Sequence, residues 1–268
     1  MLKKIIFIIF VTLLFSPYLD RRIKAGPIDK PTEVYIIGTV HIGTNSFDSD
    51  TLLNILNKIN PDVILIECDT SYMTTNFEFK EEIKYAFLET SAITEYLKNK
   101  EVQVRPFDIA GGDIFFDDPV RKINESDFFN DIQSLTGDKS KDLSGAGVSI
   151  LEKFYLMMSI AEEMSNAKIS YINSPEGSMK IDTINYYSYV GLGLLINAVP
   201  ELLKYRSYWD AEYDNWNKRN DAMLVNILKY EGFFEGKKIV VLCGFAHKNF
   251  LKNELLKHKH ILTKEYWE

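Results

Sequence analysis

The sequence predicts an α/β fold, with a central largely parallel or mixed sheet, flanking helices and a helical insertion over the sheet edge. Three observations carry that expectation. Two short apolar runs, Glu33-Val34-Tyr35-Ile36-Ile37 and Lys238-Ile239-Val240-Val241-Leu242-Cys243, each lead into Gly-x-x-His, at Gly38 to His41 and at Gly244 to His247. A third run, Val63 to Ile66, follows the first after one helix length and ends on Glu67. Continuous apolar runs of this length suit strands covered on both faces, and glycine supplies the freedom to turn sharply off a sheet edge.

Taken in order, Lys3 and Lys4 precede an apolar run from Ile5 to Phe15, the length of a signal-peptide core and too short to span a bilayer. Residues 1–26 are therefore read as a signal peptide or a retained N-terminal anchor. The chain is expected to be exported: periplasmic, secreted, or membrane-attached through that segment alone. Residues 27–268 are read as a single domain. After the first Gly-x-x-His, Asp48 to Asp50 offer an N-cap, and Leu52, Ile55, Leu56 and Ile59 recur at helical spacing until Asn60-Pro61 stops the helix. The strand Asp62 to Glu67 completes a β-α-β unit, so the two strands should be parallel and should deliver His41 and Glu67 to one sheet edge.

A helix is expected from Phe79 to Asn99, then a short strand Val102 to Arg105 that brings Asp108 out at the same edge. Residues 111–200 read as the helical insertion, with loops at Gly111-Gly112-Asp113 and Asp117-Asp118-Pro119 and a helix across Val148 to Ser165. The acidic pairs in those loops lack the alternating ligands of a calcium loop and read as solvated turns. Gly191 and Gly193 sit in an apolar stretch and suggest close helix packing. A long helix from Glu201 to Lys229 places Trp209, Glu212, Trp216, Arg219, Asn220, Met223 and Ile227 on one face. A guanidinium on such a stripe needs an anionic partner, and an edge position with the head group in water fits the spacing equally well. The last helix, Asn249 to Lys257, ends at His258 and His260, which fit a helix C-terminus better than a metal pair.

With 268 residues and 46% hydrophobic content the chain can bury a real core. Its net charge of −7, pI near 5.3 and lack of a basic stripe argue against nucleic acid and leave a peptide or small molecule as the partner class. The oligomeric state is not legible. Cys68 and Cys243 are too few for a disulfide scaffold. Two buried thiols are the simpler reading, and a bridge between neighbouring strand ends is the alternative.

His41, His247 and Glu67, with Asp108 beside them, form a ligand set for a divalent metal that keeps a position open for an ionisable water. Glu67, Arg219 and Asn220 are the catalytic candidates, the last two as stabilisers of an oxyanion. Losing Arg219 should then affect turnover more than folding. Metal occupancy should fall as pH drops through the imidazole range near 6.5. Without metal, one His would act as general base oriented by Glu67.

Gly38-Thr39-Val40-His41, Glu67 at the end of its strand, Asn217 to Met223 and Gly244-Phe245-Ala246-His247 together resemble the TraB/PrgY/Tiki family, over residues 33 to 257. That family belongs with the erythromycin esterases and the haem-binding ChaN proteins, and in detail the chain looks like a bacterial branch of this superfamily. The resemblance implies a compact α/β fold with facing Gly-x-x-His motifs and a metal-dependent protease activity supported by manganese or cobalt; zinc is the third candidate metal. Three functions stay open: an exported metal-dependent hydrolase acting on peptide bonds, a metal-independent esterase-like hydrolase using the same residues, and a non-catalytic binder of haem or a peptide.

Overall fold

The computed structural model describes residues 30–109, 119–135 and 143–268, side chains at 119–124 excepted. The segment expected at residues 1–26 and the loop residues 111–118 lie outside the described residues. Residues Pro31–Glu268 cluster as one unit.

The sheet has five strands among the described residues: β1 (Thr32–Thr39), β2 (Val63–Ile66), β3 (Gln103–Pro106), β4 (Lys238–Gly244) and β5 (Ile261–Lys264). Their order is β3-β2-β4-β1-β5, and every pairing is parallel. Of the parallel and mixed alternatives the parallel one holds. The short edge strand β5 is not foreshadowed by the sequence pattern. Alternation sorts the strands' side chains onto two cores: Tyr35, Ile37, Ile64, Ile66, Val240 and Leu242 face one way, while Val34, Ile36, Val63, Leu65, Ile239 and Val241 face the other.

On the first face pack α1 (Ser49–Ile59) and α2 (Leu88–Leu97). Helix α1 starts where Asp48 accepts the amide of Thr51 and stops where Asn60 enters the left-handed region. The helix expected from Phe79 shrinks to Leu88–Leu97; residues before it form turns, and the Leu88 amide donates to the His41 carbonyl at 2.8 Å. The same face carries the helices between β3 and β4: α3 (Pro119–Ser134), α4 (Gly145–Ser165), α5 (Ile169–Ile172), α6 (Pro175–Asn185) and α7 (Leu192–Ala198), with a π-helical turn over Tyr186–Gly191. A Cβ at Gly191 would stand 2.6 Å from the Tyr187 ring of the same turn, so that glycine makes room within its own helix, while Gly193 meets another helix only at 3.9 Å, against Trp209. Beyond the 3-10 segment Pro200–Tyr205, α8 (Arg206–Phe233) sends Met223 and Ile227 into the second core, where α9 (Phe245–Leu255) adds Leu251 and Leu255.

The insertion is tied to the sheet by Asn173. Strand β5 reaches only as far as Tyr35 along β1, so the outward amide and carbonyl of Gly38 have no strand beside them. The Asn173 side chain accepts from Gly38 N at 2.8 Å and donates to Gly38 O at 3.0 Å, replacing the missing strand. The helices after β1 and β2 leave on one face and α9 leaves β4 on the other, which opens a crevice at the carboxyl ends of the strands. No described helix is long and apolar enough to cross a membrane.

Candidate functional site

The register fixes which side chains meet. Ile66 lies opposite both Leu242 and Pro106, and Thr39 lies opposite Gly244, so four strands end level with one another. Glu67 continues the ladder by donating its amide to Leu242 O at 3.0 Å, and Asp108 does the same to Cys68 O at 3.2 Å. His41 follows β1 in a left-handed conformation, φ 59°. His247 is in the first turn of α9, because the helix begins at Phe245 without an intervening loop. A Cβ at Gly244 would stand 2.6 Å from His41 Nε2, so only glycine lets that ring lie against β4.

His41, Glu67, Asp108, Arg219 and His247 line one cavity of about 450 Å³. Glu67 Oε1 stands 3.9 Å from His41 Nε2 and 3.5 Å from His247 Nε2. Its Oε2 accepts the Gly244 amide at 2.6 Å. Asn220 is on the same helix as Arg219 and its Oδ1 accepts from His247 Nδ1 at 2.7 Å, while its amide nitrogen donates to Trp216 O. It therefore orients His247 and has no donor aimed at an oxyanion, which corrects the role expected for it. Trp216 stacks on the His247 ring with centroids 4.4 Å apart.

Arg219 reaches the cavity from α8 and is 13% exposed. It donates to both oxygens of Asp108, at 3.0 and 2.7 Å, and to Glu67 Oε1 at 2.7 Å. Its Nη1 also stands 3.2 Å from His247 Nε2, the one acceptor nitrogen on that ring once Nδ1 donates to Asn220. The guanidinium is thus a buried partner of two carboxylates, the first of the two placements that the helical stripe left open. Asp108 is spent on Arg219 and does not turn toward the imidazoles, so its assignment as a ligand is replaced by that of guanidinium anchor.

Glu89, in the first turn of α2, escaped the sequence reading. Its Oε1 accepts from His41 Nδ1 at 2.8 Å and also from the Thr39 hydroxyl, and its side chain is 4% exposed. The turns at residues 79–87 bring it under His41, and nothing in its local pattern separates it from an ordinary N-terminal acidic residue. Burial opposes the charge on His41, but the Glu89 hydrogen bond and charge, with Glu67 behind them, raise its pKa to about 9. Burial likewise opposes charge on Glu67, and His247, His41 and Arg219 overcome this and hold it at about 2. His247 moves the other way: burial lowers its pKa, and Arg219 adds to this against the pull of Glu67.

Cys68 lines the cavity and Cys243 faces the second core; both are buried and they form no disulfide, so the bridge is not made. His258 and His260 lie away from the site, His260 against Glu231 at 3.3 Å.

The donor types suit a divalent ion, and two of their separations lie near what one ion needs. Two ligands on one tetrahedral ion with bonds of about 2.1 Å stand about 3.4 Å apart, against 3.5 and 3.9 Å from Glu67 Oε1 to the two Nε2 atoms. Each Nδ1 is held by an acceptor, which directs both Nε2 atoms inward as metal-binding imidazoles require. Arg219 faces Glu67 and Asp108, and Glu89 faces His41, so a cation would gain net negative charge only after the His41 proton has left. Among the described residues no group of three or more His, Cys, Asp or Glu side chains stands in a geometry that could hold a metal ion as it is, and Arg219 touches two of the candidate ligand atoms. Compared with protein-family models, curated proteins and solved structures, the chain finds no match in any of the three.

Proposed function

We propose that the chain is a hydrolase of neutral acyl substrates, peptide bonds foremost, with a divalent ion held by His41, Glu67 and His247. The observation that carries this is the convergence of two imidazole Nε2 atoms on one carboxylate oxygen, each ring locked through its Nδ1. When bound, the ion would polarise a carbonyl and lower the pKa of a coordinated water. Glu89 and Asn220 keep the two rings in the required tautomer, and Trp216 holds the plane of His247. Arg219, anchored by Asp108 on the cavity wall, supplies positive charge for a developing oxyanion.

A second reading uses no metal and is favoured by the seat of Arg219, which donates to Glu67 and lies on the Nε2 of His247. In it His41, protonated at neutral pH, is the general acid for the leaving group.

Metal analysis before and after chelation, with hydrolysis of acylated p-nitroanilides and esters in parallel, tests both. The first reading expects about one bound divalent ion, lost together with turnover in His41→Ala and His247→Ala. Turnover that survives chelation unchanged removes the metal and leaves the second reading. No turnover with any form of the protein, manganese, cobalt and zinc added in turn, removes the hydrolase.

A further inference from the structure

The cavity has two unlike halves. Its floor carries Glu67, Glu89 and Asp108, side chains only 5, 4 and 6% exposed. Its outer wall is apolar: Val40 and Ile42 flank His41 in sequence, and Tyr72 and Phe87 stand on the connection after β2, their rings stacked at 5.9 Å and 9°. Ile42 is 75% exposed, a large apolar side chain beside a catalytic candidate with little packed against it. The loop that presents it does not hang loose. The left-handed turn at His41 throws Ile42 outward, and the bond from Leu88 N to His41 O ties this loop to the residue after Phe87. One anchor thus holds His41 and both sides of the apolar wall in a fixed relation.

We infer that Val40, Ile42, Tyr72 and Phe87 form a subsite for an aromatic or large aliphatic side chain adjoining the bond that is cleaved, and that this apolar wall disfavours a carboxylate at that position. The inference rests on the hydrolase reading for the word cleaved, and on the cavity alone for the side chain bound. A cavity of about 450 Å³ has room for one such side chain and the peptide unit attached to it. Covering Ile42 and the Phe87 ring removes apolar surface from water, whereas a carboxylate seated against the same apolar wall would lose its water without gaining a partner there.

Two measurements keep the subsite and the hydrolase distinct. The first is binding of N-acetyl-phenylalanine methylamide, N-acetyl-alanine methylamide and N-acetyl-aspartate methylamide, followed by NMR shifts of the histidine ring protons, which needs no turnover. The second is kcat/KM on the p-nitroanilides of the same three residues. The phenylalanine compound is expected to bind and to react at least about tenfold better than the alanine one, in the range one apolar pocket supplies, and the aspartate compound worst. Ile42→Ser, an exposed position whose change leaves the fold intact, should remove most of that preference, and Phe87→Leu should weaken phenylalanine relative to a leucine analogue. Selective binding without turnover would keep the subsite and sink the hydrolase. Turnover with equal rates for the three residues, or an Ile42→Ser preference equal to the parent's, would overturn the subsite and leave the hydrolase standing.

Discussion

Replacing Glu89 by Gln should lower the pKa of His41 by about one unit or more while preserving the shape of the site. The carboxylate lies 2.8 Å from Nδ1 and holds the ring at about 9, against an ordinary value of 6.5. Taken whole, that difference corresponds to ~3.4 kcal/mol. The His41 side chain is 43% exposed, however, and solvent screening reduces the figure to about 1 kcal/mol. Because the folded pKa is raised, the proton on His41 stabilises the fold fully below pH 6.5, and this contribution is lost as pH rises through about 9. The parent should therefore lose about 1 kcal/mol across that window through His41, and Glu89→Gln should lose less, keeping only the part that Glu67 supplies. Imidazole proton NMR on chelator-treated protein reads the titration directly, since there are only four histidines and His41→Ala assigns the signal. A parent His41 that titrates near 6.5, or a Gln variant still near 9, would refute Glu89 as the controlling group. One consequence bears on metal binding: an ion must displace a proton held up to about pH 9, so the occupancy window moves up from the 6.5 expected of an unperturbed ring.

Arg219→Ala should destabilise the fold by about 3–5 kcal/mol, because Glu67 and Asp108 are left buried and uncompensated. This shifts the expected loss from turnover to folding, and an unchanged urea midpoint would contradict it. Gly244→Ala should leave stability within about 1 kcal/mol, because the added Cβ meets the outer end of a half-exposed ring, His41, and not backbone. Metal affinity or turnover should nevertheless drop about tenfold or more as the ring is displaced; full activity would show that His41 is not held against β4. Asn173→Ala removes the amide that serves both polar groups of Gly38, with an expected loss of about 1–3 kcal/mol in chemical denaturation. A neutral result would mean water replaces it.

The strands β1 to β4 were legible because a fully covered parallel strand must be apolar on both faces, and the residues that break each run then mark the sheet edge. His41, Glu67, Asp108 and His247 all follow from that rule, and the helical face of α8 added Arg219 and Asn220. What pairs with what was not legible. The reach of Arg219 to Asp108, the turn of Asn220 toward His247 and the place of Glu89 depend on side chains brought together across separations such as the 111 residues between Arg219 and Asp108, which no local period encodes. The turns at residues 79–87 were misread as helix for the same reason: their spacing is helical, but the bond from Leu88 to His41 and the burial of Glu89 prevail over propensity. The four-residue strand β5 is short and half exposed, so its pattern is too weak to separate from a loop.

The two histidines share one design and differ in the charge of one acceptor, and that difference decides between the two chemical readings. Each donates Nδ1–H to an acceptor, but His41 faces a carboxylate and His247 an amide oxygen. Environments that drive two titrating groups apart in this way assign them different roles. At neutral pH His41 holds a proton, with a pKa raised to about 9, while His247 is neutral and lends its Nε2 to Arg219. If His41 is a metal ligand, the proton must leave first, so the rate should climb with pH toward a limb near 9, and Glu89→Gln should move that ascending limb downward and raise the rate at pH 7. If His41 is instead the acid of a metal-free reaction, the same proton is required. The rate should then fall through a limb near 9, and the same variant should depress activity at pH 7. A pH–rate profile of parent and variant separates the two by sign. A profile flat from pH 7 to 10 in both proteins would remove His41 from the chemistry altogether.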